Sequence, residues 1–287
     1  MNEQEVLAAA EDALGLEGSR QIARGAQKTV YRADQAGTPV VLKVALLSGT
    51  LDPHGLERCR REVDLLRRLD SPHLVKVLSE LHVIGPGPDA AAWLEEDLDG
   101  ADLGSLLGQE WTWDAVEGLL LGVGSGLSVM HANGYVHRDL SPGNVRQTSR
   151  GWKVMDPGFA KHLNRTSITG LWQPGTLGYL SPEHGSVGGR VTAASDVFCL
   201  GILAFIALTG SLPIDPQGAS EAYRQRLLTG RVAPIASLRP DLSATQAAII
   251  DRCLTRQPAR RYLDAGEVVD ATRGSQEVEE SSGALPS

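Results

Sequence analysis

Apolar residues fall at helical spacing near the start of the chain: Val6, Leu7, Ala10 and Leu14 share one face, with Glu3, Glu5, Glu11 and Asp12 mostly on others. The pattern predicts a short amphipathic helix over residues 3–14, closed by Gly15 and docked on the body of the domain. The period then changes to that of strands. Residues from Gln21 to Ala33 and from Val40 to Ala45 are β-rich and flank a turn around Asp34 to Thr38, which predicts a hairpin. A second helix is expected from about Pro53 to Leu69, ending before Ser71-Pro72. Short strands are expected at Leu74 to Val77 and Trp93 to Glu96, with the turn-rich Gly85-Pro86-Gly87-Pro88 between them.

Further along, Thr112 is placed to cap a helix from Trp113 to Asn133. Gly118, Gly122, Gly124 and Gly126 lower its intrinsic propensity by about 1 kcal/mol each relative to alanine, so burial has to hold it. Trp152 to Met155 reads as a short apolar strand, and Ser195-Asp196-Val197-Phe198 opens a buried helix with Ser195 as its expected N-cap. Gly274 to Ser287 lacks apolar periodicity and is expected to be disordered.

Composition narrows the class. The 287 residues suffice for one large domain or two lobes, and 42% apolar with 22% charged residues is ordinary for a soluble fold. A formal charge of −8 argues against nucleic acid as a partner, because no basic stripe is there to match a phosphate backbone. Cys59, Cys199 and Cys253 are far apart, which fits reduced thiols in the cytoplasm better than disulfides or zinc. The acidic, Ala-rich N-terminus is not a secretory signal, and Val197 to Leu208, about 12 residues, is too short to span a bilayer.

The chemistry concentrates in His137-Arg138-Asp139-Leu140-Ser141-Pro142-Gly143-Asn144, followed a dozen residues later by Asp156-Pro157-Gly158. Asp139, Asn144 and Asp156 come from loops at the ends of regular elements, where a scaffold holds side chains still and leaves them open to a ligand. This order resembles the catalytic and metal-binding loops of the protein kinase family, H-R-D-x-x-x-x-N followed by D-F-G.

The resemblance covers about Gln21 to Thr272 and implies an α+β, two-lobed fold with a small β-rich N-lobe and a larger helical C-lobe. The implied divisions are an N-terminal extension over 1–18, an N-lobe over 19–97, a C-lobe over 98–272 and a tail over 273–287. ATP and Mg²⁺ would bind between the lobes. Asp139 would accept the proton of a serine or threonine hydroxyl on a protein substrate, with Asn144 and Asp156 as the metal ligands. Ala23, Gly25, Lys28 and Val30 would cover the nucleotide, and Lys43 would grip its phosphates while paired with Glu62. Glu95 would back the adenine, whose edge meets backbone groups near Glu96 and Leu98. Gly175-Thr176-Leu177-Gly178-Tyr179-Leu180-Ser181-Pro182-Glu183 resembles the close of an activation segment, and Thr176 favours serine/threonine substrates. Arg138 would receive a phosphate placed on Thr166, Ser167 or Thr169. Structural roles fall to Asp196, bound to the catalytic-loop backbone, and to Arg261, paired with Glu183.

Several positions depart from the family pattern. Of the three loop glycines only Gly25 stands, with Ala23 and Lys28 at the others; Lys28 is a candidate replacement for the phosphate-touching lysine that Ser141 displaces. Pro157 replaces a phenylalanine, restricting the metal loop. A carboxylate at Glu95 needs a partner that the sequence does not name. These departures keep two other classes open: a pseudokinase that binds nucleotide or a partner without efficient transfer, and a small-molecule phosphotransferase. With no sensor domain in the sequence, regulation is expected from a partner, a second copy or the loop itself, as in a bacterial kinase of eukaryotic type.

Overall fold

Alternation along three neighbouring strands decides what each side of the first sheet can touch. The computed structural model describes residues 1–25, 28–47, 54–157, 178–186 and 188–283. They fall into two units, Met1–Asp70 with Leu74–Asp99, and Ser71–His73 with Gly100–Ser287. The first unit contains helix α1 (Glu3–Leu14), strands β1 (Glu17–Arg24), β2 (Lys28–Gln35) and β3 (Thr38–Leu46), helix α2 (Gly55–Arg68), and strands β4 (His82–Ile84) and β5 (Ala90–Glu96). The strands form one antiparallel sheet in the order β1-β2-β3-β5-β4. The β2–β3 turn is Ala36-Gly37, both with positive φ (53° and 83°), the two-residue geometry whose twist matches that of the flanking strands.

Opposed residues on paired strands point to the same face. Tyr31, Leu42 and Leu94 therefore share one face, and Val30, Lys43 and Trp93 share the other. The first face is apolar and would be stranded in water without a cover. Helix α1 supplies it: Val6, Ala10 and Leu14 are buried in one cluster with Tyr31, Ala33, Val40, Leu42, Val44, Ala92 and Leu94. Burying a Val or Leu contributes roughly 1.5–3 kcal/mol, so α1 belongs to the sheet's core, and the division expected after residue 18 falls inside this unit. Asn2 and Glu5 cap its start reciprocally, and Gly15 closes it in the left-handed region. The expected strand at Leu74 to Val77 is reduced to isolated bridge residues, Leu74 and Val77, the latter opposite Glu95.

The second unit contains strand β6 (Ala101–Asp102), helices α3 (Leu103–Leu106) and α4 (Trp113–Ala132), strands β7 (Val145–Thr148) and β8 (Gly151–Val154), and helices α5 (Pro182–Gly185), α6 (Ala193–Thr209), α7 (Ser220–Thr229), α8 (Ala244–Cys253) and α9 (Ala265–Gly283). Helix α4 packs against α6, α9 and β8. Its glycines mark the close approaches: a Cβ on Gly122 would lie 2.8 Å from the Trp152 side chain, on Gly124 2.8 Å from Val269, and on Gly126 2.6 Å from the His73 carbonyl oxygen. Among the described residues α4 is also the one helix long and apolar enough to cross a membrane, but half of that stretch is buried within this unit.

Two expectations are corrected here. The N-cap of α6 is Thr192, with Ser195 three residues in, completing a reciprocal capping box. The segment from Gly274 is helical as far as Gly283. The buried hydroxyls of Thr272 and Ser275 donate to the Val268 and Thr272 carbonyls, so small polar residues line a packed helix that apolar periodicity alone does not reveal.

Two substitutions in α4 separate packing from propensity. Gly126→Ala is expected to destabilise the chain by about 1–3 kcal/mol, since a backbone carbonyl blocks the added methyl. Exposed Gly118 has nothing within 4 Å of its Cβ position, and Gly118→Ala is expected to stabilise by about 0.4–1 kcal/mol. Urea unfolding measures both.

Candidate active site

Asp196 lies in the first turn of α6 with no solvent exposure, so its charge must be met by hydrogen bonds. The His137 and Arg138 backbone N–H groups donate to it at 2.6 and 2.9 Å, and His131 Nε2 lies 3.0 Å away. Because the Ala265 N–H donates to His131 Nδ1 at 3.1 Å, the imidazole proton is on Nε2 and points at Asp196. Burial pushes the Asp196 carboxyl up, but the His131 hydrogen bond and the neighbouring donors outweigh it and hold the group below its ordinary value. Arg138 is fixed at φ +68°, a conformation that costs a non-glycine residue on the order of 1–3 kcal/mol unless its surroundings impose it.

From that anchor the loop is built outward by backbone bonds. The Asp139 N–H donates to His137 Nδ1 at 3.3 Å, leaving Nε2 to donate to the Met155 carbonyl at 2.9 Å. The Met155 N–H returns to the Asn144 carbonyl at 2.9 Å, and Asn144 Nδ2 donates to the Asp139 carbonyl at 2.7 Å. Asn144 is thereby held between Asp139 and the segment entering Asp156, itself at φ +51°. The amide nitrogen of Asn144 is committed, so Oδ1 is its atom for a cation. Among the described residues no group of three His, Cys, Asp or Glu is placed to hold a metal. One amide and one carboxylate oxygen nevertheless fit a hard cation that keeps water and phosphate oxygens as its other ligands. Ser141 is buried, its carbonyl accepting from the Asn144 N–H at 3.0 Å, and Pro157 is buried. Gly158, Thr166, Ser167, Thr169 and Thr176 lie outside the described residues.

Arg261 is almost wholly buried and places all five of its N–H groups. Two go to Glu183 (2.8 and 2.9 Å), and the others go to the carbonyls of Ala194, Thr255 and Arg256. Its guanidinium also stacks 4.7 Å from the Phe198 ring. Burial alone would raise the Glu183 carboxyl, but Arg261, Ser181 and Ser195 bring it below its ordinary value. One residue on, His184 Nδ1 lies 2.8 Å from Ser181 Oγ and Nε2 lies 3.3 Å from the Arg138 carbonyl, joining this segment to the catalytic loop.

In the first unit two ion pairs stand on the α2-facing side of the sheet. Lys43 meets Glu95 at 2.7 Å, and Lys28 meets Glu62 at 2.5 Å. Glu95, the carboxylate whose partner the sequence does not name, is thereby met by the Lys43 ammonium. Trp93 belongs to both pairs: its indole N–H donates to Glu95 at 3.0 Å, and Lys28 Nζ stands 5.1 Å from its ring centroid. Burial, with Glu62 nearby, pushes the Cys59 thiol up to about 11. Ala23 and Val30 are opposed across β1 and β2, the Glu96 N–H donates to the Lys76 carbonyl at 3.0 Å, and Leu98 is buried. Sequence reasoning missed Trp93, His131 and His184. Only Trp93 left a signal, since it lies two residues before Glu95 in an expected strand and so shares its face.

Glu183 and Asp196 both lie below ordinary carboxylate values when folded, so their contribution is complete at neutral pH and is lost as pH falls from about 4 through the folded values. Thermal melts are expected to drop over that range, with Glu183→Gln less stable at neutral pH but falling less steeply. Arg261→Ala strands a buried carboxylate and is expected to cost about 3–5 kcal/mol in urea unfolding.

Comparison with known proteins agrees with this geometry. The sequence profile described as the protein kinase domain matches residues 16–271. Serine/threonine-protein kinase PknA of Mycobacterium tuberculosis is 31% identical over 260 residues, covering 88% of this chain and 59% of that protein. Serine/threonine-protein kinase Pkn1 of Myxococcus xanthus is 30% identical, covering 85% of this chain and 36% of that protein. The chain thus spans little more than half, or less, of these relatives. The crystal structure of the Mycobacterium tuberculosis PknI kinase domain shares the fold, with a TM-score of 0.67 at 24% identity over 90% of this chain and 96% of that one. A catalytic loop anchored on Asp196, the Glu183–Arg261 pair and a profile match over most of its length make this chain a member of the protein kinase family.

Proposed function

We propose that this chain is an ATP- and Mg²⁺-dependent serine/threonine protein kinase of bacterial signalling, transferring a γ-phosphoryl group to a protein hydroxyl. The observation that carries the reading is the hydrogen-bonded run Asp139–Asn144–Met155, which presents a carboxylate, an amide oxygen and the Asp156 carboxylate from one continuous backbone network. In this reading Asp139 orients the attacking hydroxyl and takes its proton. Asn144 and Asp156 hold the metal, which when bound offsets charge on the phosphates. Such chemistry asks the protein chiefly for fixed positions, and the bonds to Asp196 supply them. Arg138 Nε is shut off from solvent and has no hydrogen-bond partner among the described residues, which suits a guanidinium that receives a phosphate from the segment carrying Thr166, Ser167 and Thr169. The substrate is a protein in this reading, and regulation comes from a partner, a second copy or that segment. Three buried free thiols suit a reducing cytoplasm.

Intact-mass spectrometry after incubation with Mg-ATP is expected to show added phosphoryl groups on the chain or on a serine/threonine peptide library. Asp139→Asn is expected to slow the transfer by roughly 100- to 10,000-fold. Nucleotide binding with no transfer would leave a pseudokinase, and phosphorylated aminoglycoside or choline-like alcohols in place of peptide would indicate a small-molecule phosphotransferase.

A further inference from the structure

The peptide unit between Arg138 and Asp139 is held at both of its polar ends, by two different imidazoles. Its N–H, on Asp139, donates to His137 Nδ1 at 3.3 Å, and its carbonyl oxygen, on Arg138, lies 3.3 Å from His184 Nε2. The Ser181 N–H donates to His184 Nδ1 at 3.2 Å, so the proton of that ring is on Nε2 and points at the Arg138 carbonyl. Burial holds the His184 imidazole below its ordinary value, against the opposing pull of Asp196, the Arg138 carbonyl, Glu183 and Asp139. The ring is therefore neutral, a donor at one nitrogen and an acceptor at the other. No other donor reaches the Arg138 carbonyl among the described residues.

A trans peptide is planar, with its oxygen and its hydrogen on opposite edges, so bonds to both stop it from rocking about the line between its two Cα atoms. Such rocking would change φ of Asp139 and swing its carboxylate. The restraint matters here because Arg138, at φ +68°, is strained and relaxes unless its neighbours hold it. Capping of α5 does not account for the arrangement. His184 is the third residue of that helix and accepts the N-cap N–H through Nδ1, a task that Glu or Gln performs as well. The donor at Nε2 is surplus to that task and reaches 46 residues back along the chain. The segment bearing His184 is itself fastened, since the Gly178 N–H donates to the Tyr223 hydroxyl at 3.0 Å and Glu183 is paired with Arg261.

We infer that His184 is a positioning residue for the transfer step: through the Arg138 carbonyl it locks the peptide unit ahead of Asp139, and so ties the direction of the Asp139 carboxylate to the segment from Gly178 to Glu183. The inference rests on the proposed kinase function and deepens it. The stretch that resembles the close of an activation segment, against which a peptide acceptor would lie, is linked by one side chain to the group that takes the hydroxyl proton. His184 acts through Arg138 and has no part in the chemistry itself. A glutamine carries an acceptor and a donor at nearly the separation of the two imidazole nitrogens, so it can make both bonds, whereas leucine makes neither.

Three measurements on the whole chain test this: steady-state transfer to a serine/threonine peptide, Mg-ATP affinity by titration calorimetry, and hydrogen exchange of the Asp139 amide. His184→Leu is expected to lower kcat by roughly 10- to 100-fold, the scale of a misplaced catalytic group, with ATP affinity within about twofold of the unsubstituted chain. His184→Gln is expected to recover most of kcat. The Asp139 amide is expected to exchange at least about tenfold faster in His184→Leu than in the unsubstituted chain or in His184→Gln. His184→Glu still caps α5 but offers no donor, so it takes the place of His184→Leu should that variant fail to fold, with the same losses expected. Full kcat in a folded variant without the donor, His184→Gln no better than His184→Leu, or an unaltered Asp139 exchange rate overturns the assignment. A chain whose Asp139 exchange responds as expected but which transfers nothing would sink the kinase reading alone, whereas intact transfer in folded His184→Leu or His184→Glu would sink this inference alone.

Discussion

Asp196 cannot shed its charge into water, and much of the second unit is arranged around that fact. A carboxylate buried in the first turn of an apolar helix has to collect donors, and here they come from two elements. The catalytic loop supplies two backbone N–H groups and α4 supplies His131, while the tautomer of that histidine is fixed by the first residue of α9. One buried oxygen pair thereby ties together α4, α6, α9 and the loop. The left-handed backbone at Arg138 follows from the same requirement, since two successive N–H groups must turn toward a single carboxylate.

Charge is handled by the same logic elsewhere, with different consequences. Arg261 uses every donor it has, so it behaves as a rigid plug that joins Glu183 and the start of α6 to the carbonyls ahead of α9. In the first unit two ion pairs among the described residues stand around one tryptophan. Buried pairs of this kind contribute little net stability compared with apolar packing. What they do supply is geometry, because each ammonium is drawn to a fixed carboxylate.

The elements of regular period were legible in the sequence. Residues 3–14, the hairpin around Asp34, the second helix and the long helix after Thr112 appear within a few residues of where apolar spacing puts them, because burial of one face is encoded locally. The order of Asp139, Asn144, Asp156, Glu183, Asp196 and Arg261 was legible as well, and the bonds among them follow from chain neighbours or from a buried charge needing partners. The partner of Glu95 was not. That Lys43 meets it depends on Lys43 lying opposite Trp93, which puts Glu95 one diagonal step away on the same face, and strand register between distant segments has no local signature. The helical turn after Gly274 escapes a reading by period for a related reason: Ser275 is buried with its hydroxyl bonded back to the Thr272 carbonyl, and hydrophobic periodicity does not count a buried polar residue.

Helix α1 has a consequence for anything that would act on the smaller unit. By lying across Tyr31, Leu42 and Leu94 it already occupies the broad apolar side of the sheet, which is thus unavailable as a landing platform. A strand seeking to extend the sheet would meet its two borders, β1 and the three-residue β4, and the irregular pairing of β1 makes it a poor template for adding another strand.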